Sequence, residues 1–154
     1  MTDRSVIHDT FSLERTYAGA PSRLFAAFAS AQAKDAWAAT STEETGFDEF
    51  DFRPGGRERF HVRRRNATYS YDALYYDIVP NQRILYCYEM YADGTRISVS
   101  TATIELSANA TGTTLTWTEQ GVYLDGIDST EAPKLRIGGT NELLDGLADY
   151  LEPR

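Results

Sequence analysis

The chain has 154 residues, of which 42% are hydrophobic, and this is the length and composition of one globular domain with its own core. The formal net charge of −8 argues against a nucleic-acid partner, because phosphate backbones are bound by basic surfaces. Cys87 is the single cysteine, so no internal disulfide can form. The first residues contain no apolar run, so we expect no signal peptide. No apolar stretch approaches the ~20 residues that cross a bilayer. We therefore expect a single cytoplasmic domain over residues 1–154 with no membrane partner.

The first predicted elements are a strand and two short helices. Residues 8–17 alternate between apolar and polar side chains, which indicates a half-buried strand. Ser22 is a plausible N-cap for a first helix, in which apolar residues recur at helical spacing: Leu24, Phe25, Phe28 and Ala29. A second helix is predicted over residues 31–37, and we expect its Trp37 to anchor both helices onto a sheet.

From residue 46 to residue 120 the hydrophobic period is two, which predicts an antiparallel meander divided by glycine, proline and asparagine turns. Its second strand carries Glu58, Phe60 and Val62 on one face and is followed by an arginine-rich hairpin tip at 63–66. The strand over residues 83–92 carries an inward wall that includes Tyr86 and Tyr88. Asp93-Gly94 predicts a tight hairpin after it.

The last two strands of the meander differ in regularity. Ile97 and Val99 lie on one parity and Ile104 and Leu106 on the other, which predicts a bulge between the two pairs. In the final strand Leu115, Trp117 and Glu119 share a face, so all three should point toward the interior.

A long helix ends the chain. Thr130 is a plausible N-cap, and Pro133 then falls in the first turn, where no backbone donor is needed. The expected buried stripe consists of Leu144, Leu147, Ala148 and Leu151. About 20 helical residues span ~30 Å, enough to cross a sheet of six or seven strands. The predicted fold is therefore α+β, with a curved antiparallel sheet wrapped around a C-terminal helix.

The order of elements and several motifs resemble those of the activator of 90-kDa heat-shock protein ATPase homologue family, in the START-like (SRPBCC) superfamily. The matching blocks are Arg15-Thr-Tyr-Ala-Gly-Ala-Pro21, Leu24-Phe-Ala-Ala-Phe28, Phe52-Arg-Pro-Gly-Gly56, Asp77-Ile-Val-Pro80, Gly112-Thr-Thr-Leu-Thr-Trp-Thr-Glu-Gln-Gly121, Tyr123-Leu-Asp-Gly126 and Gly139-Thr-Asn-Glu-Leu-Leu-Asp-Gly-Leu147. This resemblance implies a helix-grip fold with an apolar cavity between sheet and helix, and it leaves a chaperone partner possible. Where many family members carry a tryptophan, this chain has Gly138-Gly139, which indicates either a widened cavity or a tight helix–sheet approach.

Two carboxylates are candidates for chemistry. Glu119 should face the interior, where it can bind a polar ligand group, move a proton, or simply pair with backbone or a nearby arginine. Glu58 is expected to be exposed at its strand start, and acid–base chemistry would require both carboxylates to line one cavity. The two histidines and Cys87 have no metal-ligand spacing, so we expect neither a metal nor another cofactor.

These features favour binding of a small hydrophobic or aromatic molecule without catalysis, by a monomer or a homodimer. The expected ligand-binding residues are Phe28, Trp37, Phe60, Tyr86, Tyr88, Trp117 and Glu119. A chaperone-linked interaction domain is the alternative from another class, and a cyclase- or aromatase-like enzyme that uses Glu119 is a third. An enclosed cavity favours ligand binding. A filled interior with an exposed apolar patch favours the chaperone-linked role. Ionisable groups that converge in the cavity favour the enzyme.

Overall fold

The computed structural model describes residues 4–38, 44–64, 67–125 and 131–152. Within them, seven strands and three helices follow one another along the chain. They are β1 (Val6–Ala18), α1 (Pro21–Phe28), α2 (Ala31–Ala38), β2 (Glu44–Phe50), β3 (Arg57–Arg64), β4 (Ala67–Val79), β5 (Arg83–Ala92), β6 (Thr95–Ala108), β7 (Gly112–Leu124) and α3 (Glu131–Leu151). Six successive strands form the predicted meander.

One antiparallel sheet contains all seven of these strands, in the order β1-β7-β6-β5-β4-β3-β2. The β5–β6 hairpin turns at Asp93 and Gly94, whose φ angles of 48° and 82° give the left-handed pair that such a turn needs. β1 lies beside β7, with Leu13 opposite Trp117 and Phe11 opposite Glu119. The first and last strands therefore place their predicted apolar faces on the same side of the sheet.

The three helices cover that side. α3 buries Leu144, Leu147 and Leu151, each 3% exposed or less, so the predicted stripe is confirmed apart from Ala148, which is only partly buried. Tyr17 of β1 donates a hydrogen bond of 2.9 Å to the Leu144 carbonyl oxygen and fixes the helix against the sheet. The result is the predicted α+β helix-grip arrangement.

The first helix begins two residues earlier than a cap at Ser22 predicts. Ala20 occupies the N-cap position and Pro21 the first turn, so Ser22 lies inside the helix and does not cap it. Proline suits this position because its fixed φ is helical and its missing N–H would have no partner in the first turn. Thr130, the expected cap of α3, lies outside the described residues, as do residues 65 and 66 of the arginine-rich hairpin tip.

The predicted bulge between residues 99 and 104 is wrong. Pairing of β6 with β7 runs without interruption from Ser98 to Ala108, and the irregularity lies instead beside Ile97, where the β5–β6 register shifts. Val99 is consequently 40% exposed, while Ser98 and Ser100 point inward and are buried. The partner of these inward serines is Arg136 of α3, which local hydrophobicity does not reveal.

Candidate ligand-binding cavity

A cavity of about 820 Å³ lies between the concave face of the sheet and α3. Its walls include eight aromatic side chains: Trp37, Phe60, Tyr69, Tyr71, Tyr86, Tyr88, Trp117 and Tyr123. Residues of the first half of α3 also line it, among them Leu135, which is 62% exposed.

Six of the seven residues expected to contact a ligand line this cavity: Trp37, Phe60, Tyr86, Tyr88, Trp117 and Glu119. The seventh, Phe28, does not. It is buried behind the wall, with its ring centre 5.0 Å from that of Trp37 and 6.3 Å from that of Trp117. Trp37 is itself held by a 2.8 Å hydrogen bond from its indole nitrogen to the Ala27 carbonyl oxygen. Phe28 and Ala27 thus support the wall from the helix side.

One buried polar cluster joins α3 to the sheet around Glu119. Tyr88 donates a 2.5 Å hydrogen bond to this carboxylate, and the Trp117 indole donates one of 3.0 Å. Arg136 of α3 lies 3.7 Å from the same carboxylate and donates to the Tyr88 hydroxyl at 2.7 Å. Its other terminal nitrogen donates to Ser98 at 2.7 Å. Arg136 is therefore the partner that draws the two serines of β6 inward.

A second buried cluster surrounds Glu58, which is 1% exposed, so the expectation of an exposed strand start is wrong. Lys34 of α2 pairs with it at 2.7 Å. Tyr71 and Tyr75 of β4 donate to the two carboxylate oxygens at 2.6 Å and 2.9 Å. Because Lys34, Glu58 and Tyr71 all line the cavity, both glutamates border the same space.

The tyrosines around the carboxylates remain protonated over the whole physiological pH range. Burial raises the pKa of Tyr71 and Tyr75 well above the ordinary value, and Glu58 raises both further. Burial and then Glu119 raise the pKa of Tyr86 and Tyr88 in the same way. Each of these hydroxyls therefore keeps a proton to donate near neutral pH.

The glycine pair of α3 faces open space. A Cβ atom added at Gly138 or Gly139 would have no neighbour within 4 Å, and both residues line the cavity. The tight-approach interpretation of this pair is therefore wrong. The close approach occurs about two turns later, where a Cβ at Gly146 would lie 2.5 Å from the Trp37 carbonyl oxygen.

Sequence reasoning missed the two cations of the site, although a signal for each exists. Arg136 and Thr140 precede Leu144 at intervals of four residues, so extending the buried stripe backward would have reached Arg136. Lys34 lies three residues before Trp37 and shares its helix face. Both were passed over because a charged side chain on a helix is usually solvent-exposed.

The described ranges contain no group of three or more histidine, cysteine or acidic side chains placed to hold a metal ion. No helix within the same ranges is long and apolar enough to cross a membrane.

Comparison with known proteins identifies the family. The family model of the Activator of Hsp90 ATPase homolog 1-like proteins matches residues 18–152. An uncharacterised protein from Rhizobium leguminosarum has 40% sequence identity and a TM-score of 0.89, with 99% of this chain and 100% of that chain covered. A protein from Rhizobium loti has 42% identity and a TM-score of 0.85, with 96% and 99% covered.

More distant structures show the fold alone. A protein from Chromobacterium violaceum superposes with a TM-score of 0.78 at 24% identity, over 95% of this chain and 99% of that one. No curated protein matches the sequence. The predicted resemblance is nevertheless confirmed, and this chain belongs to the Activator of Hsp90 ATPase homolog 1-like family, with the START-like helix-grip fold.

Proposed function

We propose that this protein binds a small, largely aromatic molecule in the cavity between its sheet and α3, without changing it chemically. The observation that carries the proposal is the cavity of about 820 Å³ in a family whose fold is suited to ligand or partner binding. Pockets of ~300–1,000 Å³ that are mostly apolar and have a few placed polar groups are the usual small-molecule sites.

The composition of the wall supports an aromatic ligand. The rings of Phe60 and Tyr71 lie 5.4 Å apart, those of Tyr71 and Tyr88 6.1 Å apart, and those of Tyr86 and Tyr88 5.8 Å apart. A continuous aromatic wall of this kind offers faces and edges to a planar guest, which favours aromatic over purely aliphatic molecules.

A fluorescence titration with the neutral probe N-phenylnaphthylamine tests the proposal. We expect saturable binding to the wild-type protein. Gly139→Trp should reduce binding at least tenfold, because Gly139 lines the cavity and a side chain added there enters open space. Tyr150→Trp is the matched control, since Tyr150 lies on the same helix, is 40% exposed and is not part of the cavity wall.

The two variants show whether the probe binds in the cavity or elsewhere on the protein. Reduced binding in Gly139→Trp and unchanged binding in Tyr150→Trp, with both proteins folded by circular dichroism, is the result that we expect. Equal probe binding in Gly139→Trp and wild type would place the probe elsewhere and would refute the proposed site.

Acid–base catalysis is a second candidate, because Glu58 and Glu119 border one cavity. Each carboxylate already accepts hydrogen bonds from at least two side chains, which leaves less capacity to take a proton from a substrate. Glu119→Gln tests this candidate. If a reaction is found and this isosteric change removes it while probe affinity is preserved, the binding-only proposal is wrong.

A chaperone partner is what the family description itself suggests. We expected a filled interior for that role, and the space between sheet and α3 is hollow. Pull-down with the 90-kDa heat-shock protein of the same host should therefore recover no complex that survives washing, whereas a stoichiometric complex would favour the interaction role.

A further inference from the structure

The two buried cations of the cavity differ in how far their donors are used. Arg136 donates from one terminal nitrogen to Tyr88 and Ser100, and from the other to Ser98 and the Met90 sulfur. Four of its five N–H groups are therefore occupied by the sheet. Such a guanidinium is a structural tie between α3 and the strands, with little left to offer a ligand.

Lys34, in contrast, uses few of its hydrogen-bond donors within the described residues. Its ammonium group has three N–H donors, and Glu58 is the one hydrogen-bond partner it has within the described parts of the chain. The side chain is only 11% exposed, and the residue lines the cavity. Two of its donors are thus unused by the described residues. A buried ammonium in this position is costly unless another acceptor enters the site, and the cavity is where such an acceptor can lie.

Tyr86 lies close to Lys34 and carries a second donor that no described residue is shown to use. The Lys34 nitrogen lies 6.0 Å from the centre of the Tyr86 ring. The hydroxyls of Tyr71, Tyr75 and Tyr88 each donate to a glutamate, but the Tyr86 hydroxyl has no such partner among the described residues. Tyr86 is 9% exposed and lines the cavity between the two carboxylate clusters.

We propose that Lys34 and Tyr86 form a hydrogen-bond donor subsite for a neutral oxygen acceptor, a ketone or ester carbonyl, on an otherwise aromatic ligand. This inference rests on the proposed function and specifies the ligand's polar group. A neutral acceptor fits better than an anion, because each buried cation is already paired with a glutamate. Among the exposed lining residues of α3, Asp145 is paired with Arg15, and Glu142 and Asp149 stand against Lys134.

The test compares two probes of similar aromatic size. Prodan is a neutral naphthyl ketone whose emission moves to longer wavelength when its carbonyl accepts hydrogen bonds, whereas N-phenylnaphthylamine has no oxygen acceptor. Tyr86→Phe should weaken Prodan binding roughly two- to tenfold, the usual effect of one hydrogen bond, and should shift bound Prodan to shorter wavelength. Binding of N-phenylnaphthylamine should not change.

Tyr75→Phe is the matched control. It also removes one buried tyrosine hydroxyl, but this hydroxyl donates to Glu58 at 2.9 Å, and Tyr75 does not line the cavity. We expect it to leave the binding of both probes within twofold of wild type. The double variant Lys34→Met/Glu58→Gln removes the ammonium without leaving a buried unpaired charge, and it should reproduce the selective loss of Prodan affinity.

The outcomes distinguish the subsite from the cavity itself. If neither probe binds to the wild-type protein, the proposed function fails and the subsite fails with it. If both probes bind but Tyr86→Phe and the double variant affect them equally or not at all, the cavity proposal stands and the subsite is refuted. Stronger binding of the anion anilinonaphthalene sulfonate than of Prodan would overturn the preference for a neutral acceptor.

Discussion

At the scale of single residues, the pairing of Arg136 with Glu119 has a measurable energetic consequence. Arg136 is 10% exposed in its side chain and Glu119 2%. Arg136→Met would leave the carboxylate buried without its cation, and removing one member of such a pair costs about 3–5 kcal/mol of unfolding free energy. The double variant Arg136→Met/Glu119→Gln should lose much less than the sum of the two single changes.

Urea denaturation of the wild type, both single variants and the double variant gives the coupling between the two residues. Additive losses would show that the guanidinium and the carboxylate do not interact energetically, and Arg136 would then be held by its hydrogen bonds to Tyr88, Met90 and the two serines.

A second prediction at this scale concerns Tyr17 and the stability of the protein at alkaline pH. Burial raises the pKa of Tyr17 to about 12 from 10.0; nearby Arg15 lowers it and Asp145 raises it. Because the folded protein holds this proton more tightly than the unfolded chain, the stabilisation is fully present below pH 10 and is lost as the pH rises from 10 to 12.

The unfolding free energy should therefore decline across that interval, and Tyr17→Phe should make the decline shallower. At neutral pH the same variant should lose ~1 kcal/mol, the usual value of the hydrogen bond to the Leu144 carbonyl. Denaturant titrations at pH 8 and above measure both effects. An identical slope in wild type and Tyr17→Phe would assign the alkaline decline to other tyrosines.

At the scale of elements, the glycines of α3 have opposite environments. Gly139→Ala should stabilise the protein by about 0.5–1 kcal/mol, because alanine favours the helix and its Cβ would meet open space. Gly146→Ala should destabilise it, since its Cβ would press on the Trp37 carbonyl and separate α2 from α3. Relative to wild type, the unfolding temperature should rise in Gly139→Ala and fall in Gly146→Ala. A change in the same direction in both variants would contradict the described helix packing.

In α3, the apolar contacts were predictable from the sequence and the polar contacts were not. The stripe Leu144, Leu147 and Leu151 followed from helical spacing, because apolar periodicity reports which face is buried. Arg136 lies on the continuation of that stripe, yet its burial depends on serines of β6 that are distant in sequence. Local pattern cannot anticipate a partner that only the tertiary fold brings near.

In β6, polar residues are buried at positions that the sequence pattern assigns to the surface. Hydrophobicity suggested that Ile97 and Val99 share one inward face. Ile97 does line the cavity, but Val99 is exposed and the chain buries Ser98 and Ser100 in its place. The hydrogen bonds to Arg136 satisfy those two hydroxyls and make their burial tolerable. Glu58 was misassigned for the same reason, because the sequence does not show that Lys34 of α2 will lie 2.7 Å from it.

At the scale of the whole molecule, the fold was predictable and the polar lining of its cavity was not. Strand and helix order, the inward parity of β7 and most of the aromatic wall followed from period and turn chemistry. The two ion pairs could not be deduced, since each joins a helix to a strand across the interior. The resulting arrangement, an aromatic hollow with charged groups paired inside it, is what the ligand-binding proposal depends on.

Native mass spectrometry of the protein purified from its own host tests that proposal most directly. We predict a complex whose mass exceeds that of the polypeptide by on the order of a few hundred daltons, the size that fills such a pocket, and whose extra mass is lost on denaturation. The Gly139→Trp variant prepared in parallel should lack this species. Recovery of the polypeptide mass alone from wild-type protein, in every charge state, would contradict the account.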